Sequence, residues 1–215
     1  MKRARNTTQK ENRRETIMES ALQLVEAGNY HDISMSKVAR AAGLAKGTLY
    51  LYFETKEELF LAIFSEMFEV FFAELNHELN QMEHQTIEEL ANFTGSFISS
   101  RPLLMRFMTL SHTVLEQNTK AEAIIAFKQA TLANTAKTGA NLERLLPFIP
   151  QGQGAAVVLT VNALILGAQQ LTHPSPNVKE ILEMHPELRP FNLNTETFLT
   201  HLIKTHLQGL ESKTL

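Results

Sequence analysis

Lys46, Gly47, Thr48, Tyr50, Tyr52 and Lys56 lie close together and offer cations, hydroxyls and one gap in the side-chain surface. Such a set suits non-covalent recognition of a polyanion. Lysines neutralise phosphates, hydroxyls bond to phosphate oxygens or base edges, and a glycine lets the backbone come close. Catalysis needs a converging nucleophile, base and acid, and no such constellation stands out, so no catalytic residue and no enzyme activity are expected. The eight histidines form no HExxH, and no two stand four apart on one helix; the chain has no cysteine. No metal site and no cofactor are therefore expected, and His77 and His84, with Glu78 and Glu83 nearby, fit a solvated face.

Two short helices joined by a tight turn must position the recognition set. Ser34 is an N-cap for a helix whose apolar face is Val38, Ala39 and Ala42. Gly43 supplies the left-handed residue of the turn, and Leu44 plugs it. A second helix follows with Leu49 and Phe53 four apart on its buried side. Its start, Ala45-Lys46-Gly47, is lean enough to enter a major groove.

The order Ser34, Val38-Ala39, Ala42-Gly43, Lys46-Gly47-Thr48-Leu49-Tyr50, Tyr52-Phe53, Lys56 and Glu58-Leu59 resembles the DNA-binding signature of the tetracycline-repressor (TetR) family. The agreement covers both helices, the turn and the start of the next helix. It implies an all-α fold, with a three-helix N-terminal head (1–55) and a C-terminal helical bundle (56–215) for ligand binding and dimerisation. It also implies DNA contacts at Ser36, Lys46, Gly47, Thr48, Tyr50, Tyr52 and Lys56: Ser36, Tyr50 and Lys56 chiefly at phosphates, Lys46, Thr48 and Tyr52 near base edges. Two positions depart from the pattern. Leu51 stands where family members often have a polar or aromatic group, and Ser36 is short. Both shift weight from base readout to backbone contacts and DNA shape.

Charge follows the same division. Residues 1–56 carry ten Lys or Arg against six acids, a net +4, and the remainder carries ten against seventeen, a net −7. A basic head is drawn to phosphate while an acidic body is repelled. Residues 1–8, with Lys2, Arg3 and Arg5, read as a mobile arm. The basic start is not followed by an apolar segment, so no signal peptide is expected. No uninterrupted apolar run reaches about 18 residues, so no membrane span is expected and the location is read as cytoplasmic.

Apolar spacing places the first helix at about 9–27, with Ile17, Ala21, Leu24 and Val25 inward, and Gly28 stopping it. Thr55 and Glu58 fit a capping box for a helix reaching about 82, some ~40 Å long and rich in Phe. Lys56 falls in its first turn, a poor place for a cation unless phosphate is near. Further helices are expected at about 86–100, 102–117, 120–146, 152–171 and 195–210. Residues 173–194, with four prolines, read as a loop holding at most a short helix.

Thirteen Phe, eight Met and no Trp suit an apolar, adaptable interior. Helical spacing assigns Phe93, Phe97, Met105, Phe107, Met108 and Phe127 to the core by default, and puts Phe64, Phe68 and Phe71 on a Phe-rich helix that other helices must enclose, leaving core or cavity open for its rings. The family resemblance implies that some of them, with His112, line a pocket for a small apolar effector. His112 fits equally a helical histidine bonded to Glu116 or the backbone. The segment 110–118 resembles a pattern in some C-terminal domains of the family. The resemblance further implies a homodimer through the last two long helices, where Ala155, Ala156, Ala163, Gly167 and Ala168 permit close approach; packing within one chain is the alternative. The function implied is a repressor released from a pseudo-palindromic double-stranded DNA operator by its effector. A helical carrier of small molecules or lipids would use the same interior but has no use for an outward Lys46-Gly47-Thr48.

Overall fold

The computed structural model describes residues 2–213, and the side chains of residues 9–213. Among the described residues there is no strand, in keeping with the all-α expectation. The helices are α1 (Lys2–Glu26), α2 (Met35–Ala41), α3 (Lys46–Leu49), α4 (Lys56–Gln81), α5 (Ile87–Ser99), α6 (Pro102–Leu110), α7 (Ala121–Leu145), α8 (Gly154–Thr172), α9 (Pro176–Met184) and α10 (Thr195–Glu211). Short 3-10 turns occupy Tyr30–Asp32 and Pro186–Phe191, and a π-turn occupies Ser111–Leu115.

Three departures from the expected boundaries have local causes. Helix α1 begins at Lys2 rather than near Gln9, because residues 2–16 contain neither Gly nor Pro to stop it. The side chains of the expected arm, Lys2, Arg3 and Arg5, lie outside the described residues. The helix expected over 102–117 widens into the π-turn at Ser111. The Pro-rich stretch after Thr172 holds both α9 and a 3-10 turn, with Pro176 opening the first and Pro186 the second.

By packing, the chain forms two compact units that do not follow chain order: Met1–Met67 with Leu110–Lys128, and Phe68–Thr109 with Gln129–Leu215. The packing division is thus not the 55/56 boundary expected from the motif. In the first unit α1, α2 and α3 bury Ile17, Ala21, Val25, Val38 and Leu49, and Tyr30 meets Phe60 edge-on at 5.1 Å. Residues 110–128 join this unit through polar bonds as well: Thr55 Oγ1 donates to Asn118 O at 2.8 Å, and Lys120 pairs with Glu54 at 2.6 Å.

In the second unit α10 packs against α5 and α8. Glycines set two of its closest approaches. A Cβ on Gly139 of α7 would lie 2.4 Å from Ala155 N, and one on Gly95 would lie 2.0 Å from Thr200 Oγ1. Glu143 accepts from Gly152 N at 2.9 Å and Gly154 N at 2.7 Å, placing a carboxylate at the start of α8, where helix amides need acceptors. Buried Asn76 donates to Phe72 O and Thr138 Oγ1, and accepts from Asn141 Nδ2 at 2.9 Å. These polar groups are satisfied within an apolar interior, so each is costly to remove singly.

Helix α8 is long and apolar enough to cross a membrane by length and composition alone, as the core helix of a soluble protein also can be. Thr160, Asn162, Gln169 and Gln170 interrupt it. Its exposed side is a stripe of Ala156, Leu159, Ala163, Gly167 and Leu171, with Leu159 58% and Leu171 57% exposed.

Candidate nucleic-acid interface

The turn between α2 and α3 is built as the residue types require. Ser34 Oγ accepts from Lys37 N at 3.3 Å, capping α2. At its other end Leu44 N donates to Ala39 O at 2.8 Å and Gly43 N to Arg40 O at 3.2 Å, with Gly43 at φ 65°. This is the paired-bond helix stop that a left-handed glycine allows. Helix α3 is a single turn, continued to Phe53 by the bonds Leu51 N to Thr48 O and Tyr52 N to Leu49 O.

Leu49 and Phe53 are buried, at 0% and 2% exposure, and fix which face turns outward. Ser36, Lys46, Gly47 and Tyr50 are exposed, while Thr48, Tyr52 and Lys56 are half-buried. Lys46 Nζ sits 5.8 Å from the centre of the Tyr50 ring, so cation and phenol share one surface. Gly47 has ordinary helical φ, and a Cβ there would meet nothing within 4 Å. Neither packing nor backbone strain inside this chain calls for a glycine at that place.

Lys56 is set differently. Its ammonium donates to Tyr30 O at 3.1 Å and lies 3.9 Å from the centre of the Tyr30 ring. Burial lowers its pKa from the ordinary lysine value, partly offset by Glu57. Tyr30 in turn donates to Glu57 Oε1 at 3.1 Å, and burial, followed by the Glu57 charge and hydrogen bond, raises its phenol far above the usual value. A first-turn cation here therefore has partners within the chain, and it ties the 3-10 turn before α2 to the start of α4. The expected capping box is half formed. Glu58 N donates to Thr55 Oγ1, while the Glu58 carboxylate accepts from Glu54 N, one residue before the expected place.

The residues expected around an effector fall in both units. In the first, Phe64 and Phe127 are buried with ring centroids 5.4 Å apart, whereas His112 is exposed, with its Nδ1 3.6 Å from Glu116 Oε1. In the second, Phe68, Phe71, Phe97 and Phe93 form a continuous run of rings, joined at 6.1, 5.6 and 5.4 Å. Phe93 and Phe97 remain half-buried, and Met105, Phe107 and Met108 are buried. Arg101, not anticipated from sequence, covers the Phe97 ring at 3.7 Å and pairs with Glu74 at 2.7 Å. Its place one residue before Pro102 carried no sequence signal.

Residues 17–63 match the sequence model of bacterial regulatory proteins of the tetR family, and residues 65–214 match the tetracyclin repressor-like C-terminal domain. The chain is 32% identical over 65 residues to the fatty acid metabolism regulator protein of Bacillus subtilis, a stretch covering 30% of this chain and 34% of that protein. The chain thus spans about a third of that relative's length. In fold it is similar to the fatty acid degradation regulator FadR from Bacillus halodurans, with 18% identity, TM-score 0.56, and coverage of 93% of this chain and 94% of that one. It is similar too to FadR from Bacillus subtilis in complex with stearoyl-CoA, with 18% identity, TM-score 0.51, and coverage of 89% and 95%.

Proposed function

The chain belongs to the tetR family of bacterial regulatory proteins, and we propose that it is a dimeric, cytoplasmic repressor that leaves a pseudo-palindromic operator when a small apolar effector binds. Family membership makes it a regulator rather than an enzyme. In this reading residues 1–55 bind DNA and residues 56–215 bind effector and partner. Ser36, Tyr50 and Lys56 meet phosphates, Lys46, Thr48 and Tyr52 lie near base edges, and Lys56 also holds the head in shape.

The observation that carries the reading is Gly47. It is a poor helix former in a one-turn helix, open to solvent, flanked by Lys46 and Tyr50, and not required by anything in its own chain. A surface that must let a duplex approach closely accounts for it.

The exposed stripe on α8 supports self-association. Its small residues and leucines repeat at helical spacing, and Gly167 has open space where a Cβ would stand, so a second helix can come close. Two heads in such a dimer read half-sites related by the same two-fold axis. The run of rings from Phe68 to Phe93 suits an effector with an extended hydrocarbon portion, as the stearoyl-CoA of the Bacillus subtilis regulator has. A 100-fold loss of operator affinity needs about 2.7 kcal/mol of differential effector binding between the two states of the protein.

Fluorescence anisotropy with a duplex enriched from a random pool, and its scrambled control, tests the reading. Specific binding should weaken with rising salt and fall at least tenfold in Lys46→Ala and Tyr50→Ala. Equal affinity of the folded protein for both duplexes at every salt concentration would refute it.

A further inference from the structure

Leu51 is the most exposed large apolar side chain of the described residues, at 77%. An exposed leucine alone means little. Its position is what distinguishes it. It stands four residues from Gly47 and two from each of Leu49 and Phe53, whose burial fixes the inward side, so Gly47 and Leu51 share the outermost line of the reading element. The neighbours on that surface are Lys46 and Tyr50, which supply charge and hydroxyl. Leu51 supplies neither a donor nor an acceptor.

In the major groove, hydrogen-bonding groups line every base pair, and the apolar feature is the C5-methyl of thymine. A leucine forced against a cytosine amino group or a guanine carbonyl would desolvate a polar group without replacing its bond. Against a thymine methyl, both partners leave water at no such cost. We propose that Leu51 reads a thymine in each half-site through its 5-methyl group. The departure from a polar or aromatic residue at this position is then a change in the kind of base readout rather than a thinning of it. The inference rests on the DNA-binding reading above.

The test uses the full-length protein and a duplex enriched from a random pool. Each thymine is replaced in turn by deoxyuridine, which keeps base pairing and removes the methyl. At one symmetric position the wild-type chain should bind about fourfold more weakly per half-site, the worth of one buried methyl-sized group. Leu51→Ala should bind the thymine and uracil duplexes equally at that position, while keeping its response at every other thymine. Leu51 is solvent-exposed, so the variant should unfold at the wild-type temperature. If no position shows a thymine preference that Leu51→Ala removes, the inference falls while the DNA reading stands. If no sequence is enriched at all, both fall together.

Discussion

The buried glycines of the C-terminal body and the open glycines of the reading head serve different ends. Gly95, Gly139 and Gly154 are buried where helices touch, and a Cβ on any of them would meet a neighbour at 2.4 Å or less. Gly43 has open space around it but a left-handed φ of 65°. Gly47 has neither constraint. The body sets Gly95, Gly139 and Gly154 at helix contacts, whereas Gly47 of the head, like Gly167 and Gly209 of the body, has open space and no left-handed φ. That contrast sets glycines needed for packing or for a turn apart from open ones such as Gly47 and Gly167, each of which lies on a face proposed to meet a partner.

The largest effect should come from the body. Gly139→Ala puts a methyl against the backbone of Gly154 and Ala155, which can yield only by moving α7 away from the start of α8. The expected loss is about 3 kcal/mol, read as a lower urea midpoint. A neutral result would show that these helices slide apart freely, and the contrast would lose one side.

The head offers a sharper pair. Gly43→Ala keeps its space but must hold a left-handed φ, costing about 1–2 kcal/mol of stability. Gly47→Ala should do the reverse: folding gains roughly 0.5–1 kcal/mol from better helix propensity. Operator affinity should nevertheless fall about tenfold, or about 1.4 kcal/mol, as the new methyl stands between backbone and duplex. Unchanged operator affinity in Gly47→Ala would leave that glycine without an explanation and break the comparison.

Local rules made the head legible in the sequence. The cap at Ser34, the left-handed Gly43 and the inward pair Leu49 and Phe53 are each dictated by near neighbours, and the structure has all of them. The helices of the body were legible as periods, but their mutual contacts were not. Nothing within ten residues of Gly139 announces that it meets Gly154, and Asn76 sits in an apolar stretch with its partners Thr138 and Asn141 far along the chain. For the same reason the packing of 110–128 with the first unit was missed: Asn118 and Lys120 reach Thr55 and Glu54 across more than sixty residues. The family resemblance named the ten effector candidates, and spacing could not sort a run of rings such as Phe68, Phe71 and Phe97 from the exposed His112.

The smallest effect concerns protons and again divides the two regions. His31, in the head, is exposed, whereas in the body His206 carries a buried Nε2 without a hydrogen-bond partner. Burial lowers the His206 pKa below the ordinary value of 6.5, with the Lys213 charge adding to the shift. Above the unfolded pKa both states hold a neutral imidazole, and the group has no effect on stability. As pH falls below 6.5, the unfolded chain takes up the proton first, so stability is lost until the folded state is protonated too. His206→Leu removes the titrating group and matches the apolar surroundings. The melting temperature of the variant should therefore fall less than that of the wild type between pH 7.5 and pH 5. Parallel slopes for His206→Leu and the wild type would mean that water reaches the imidazole and that this corner of the body resembles the head after all.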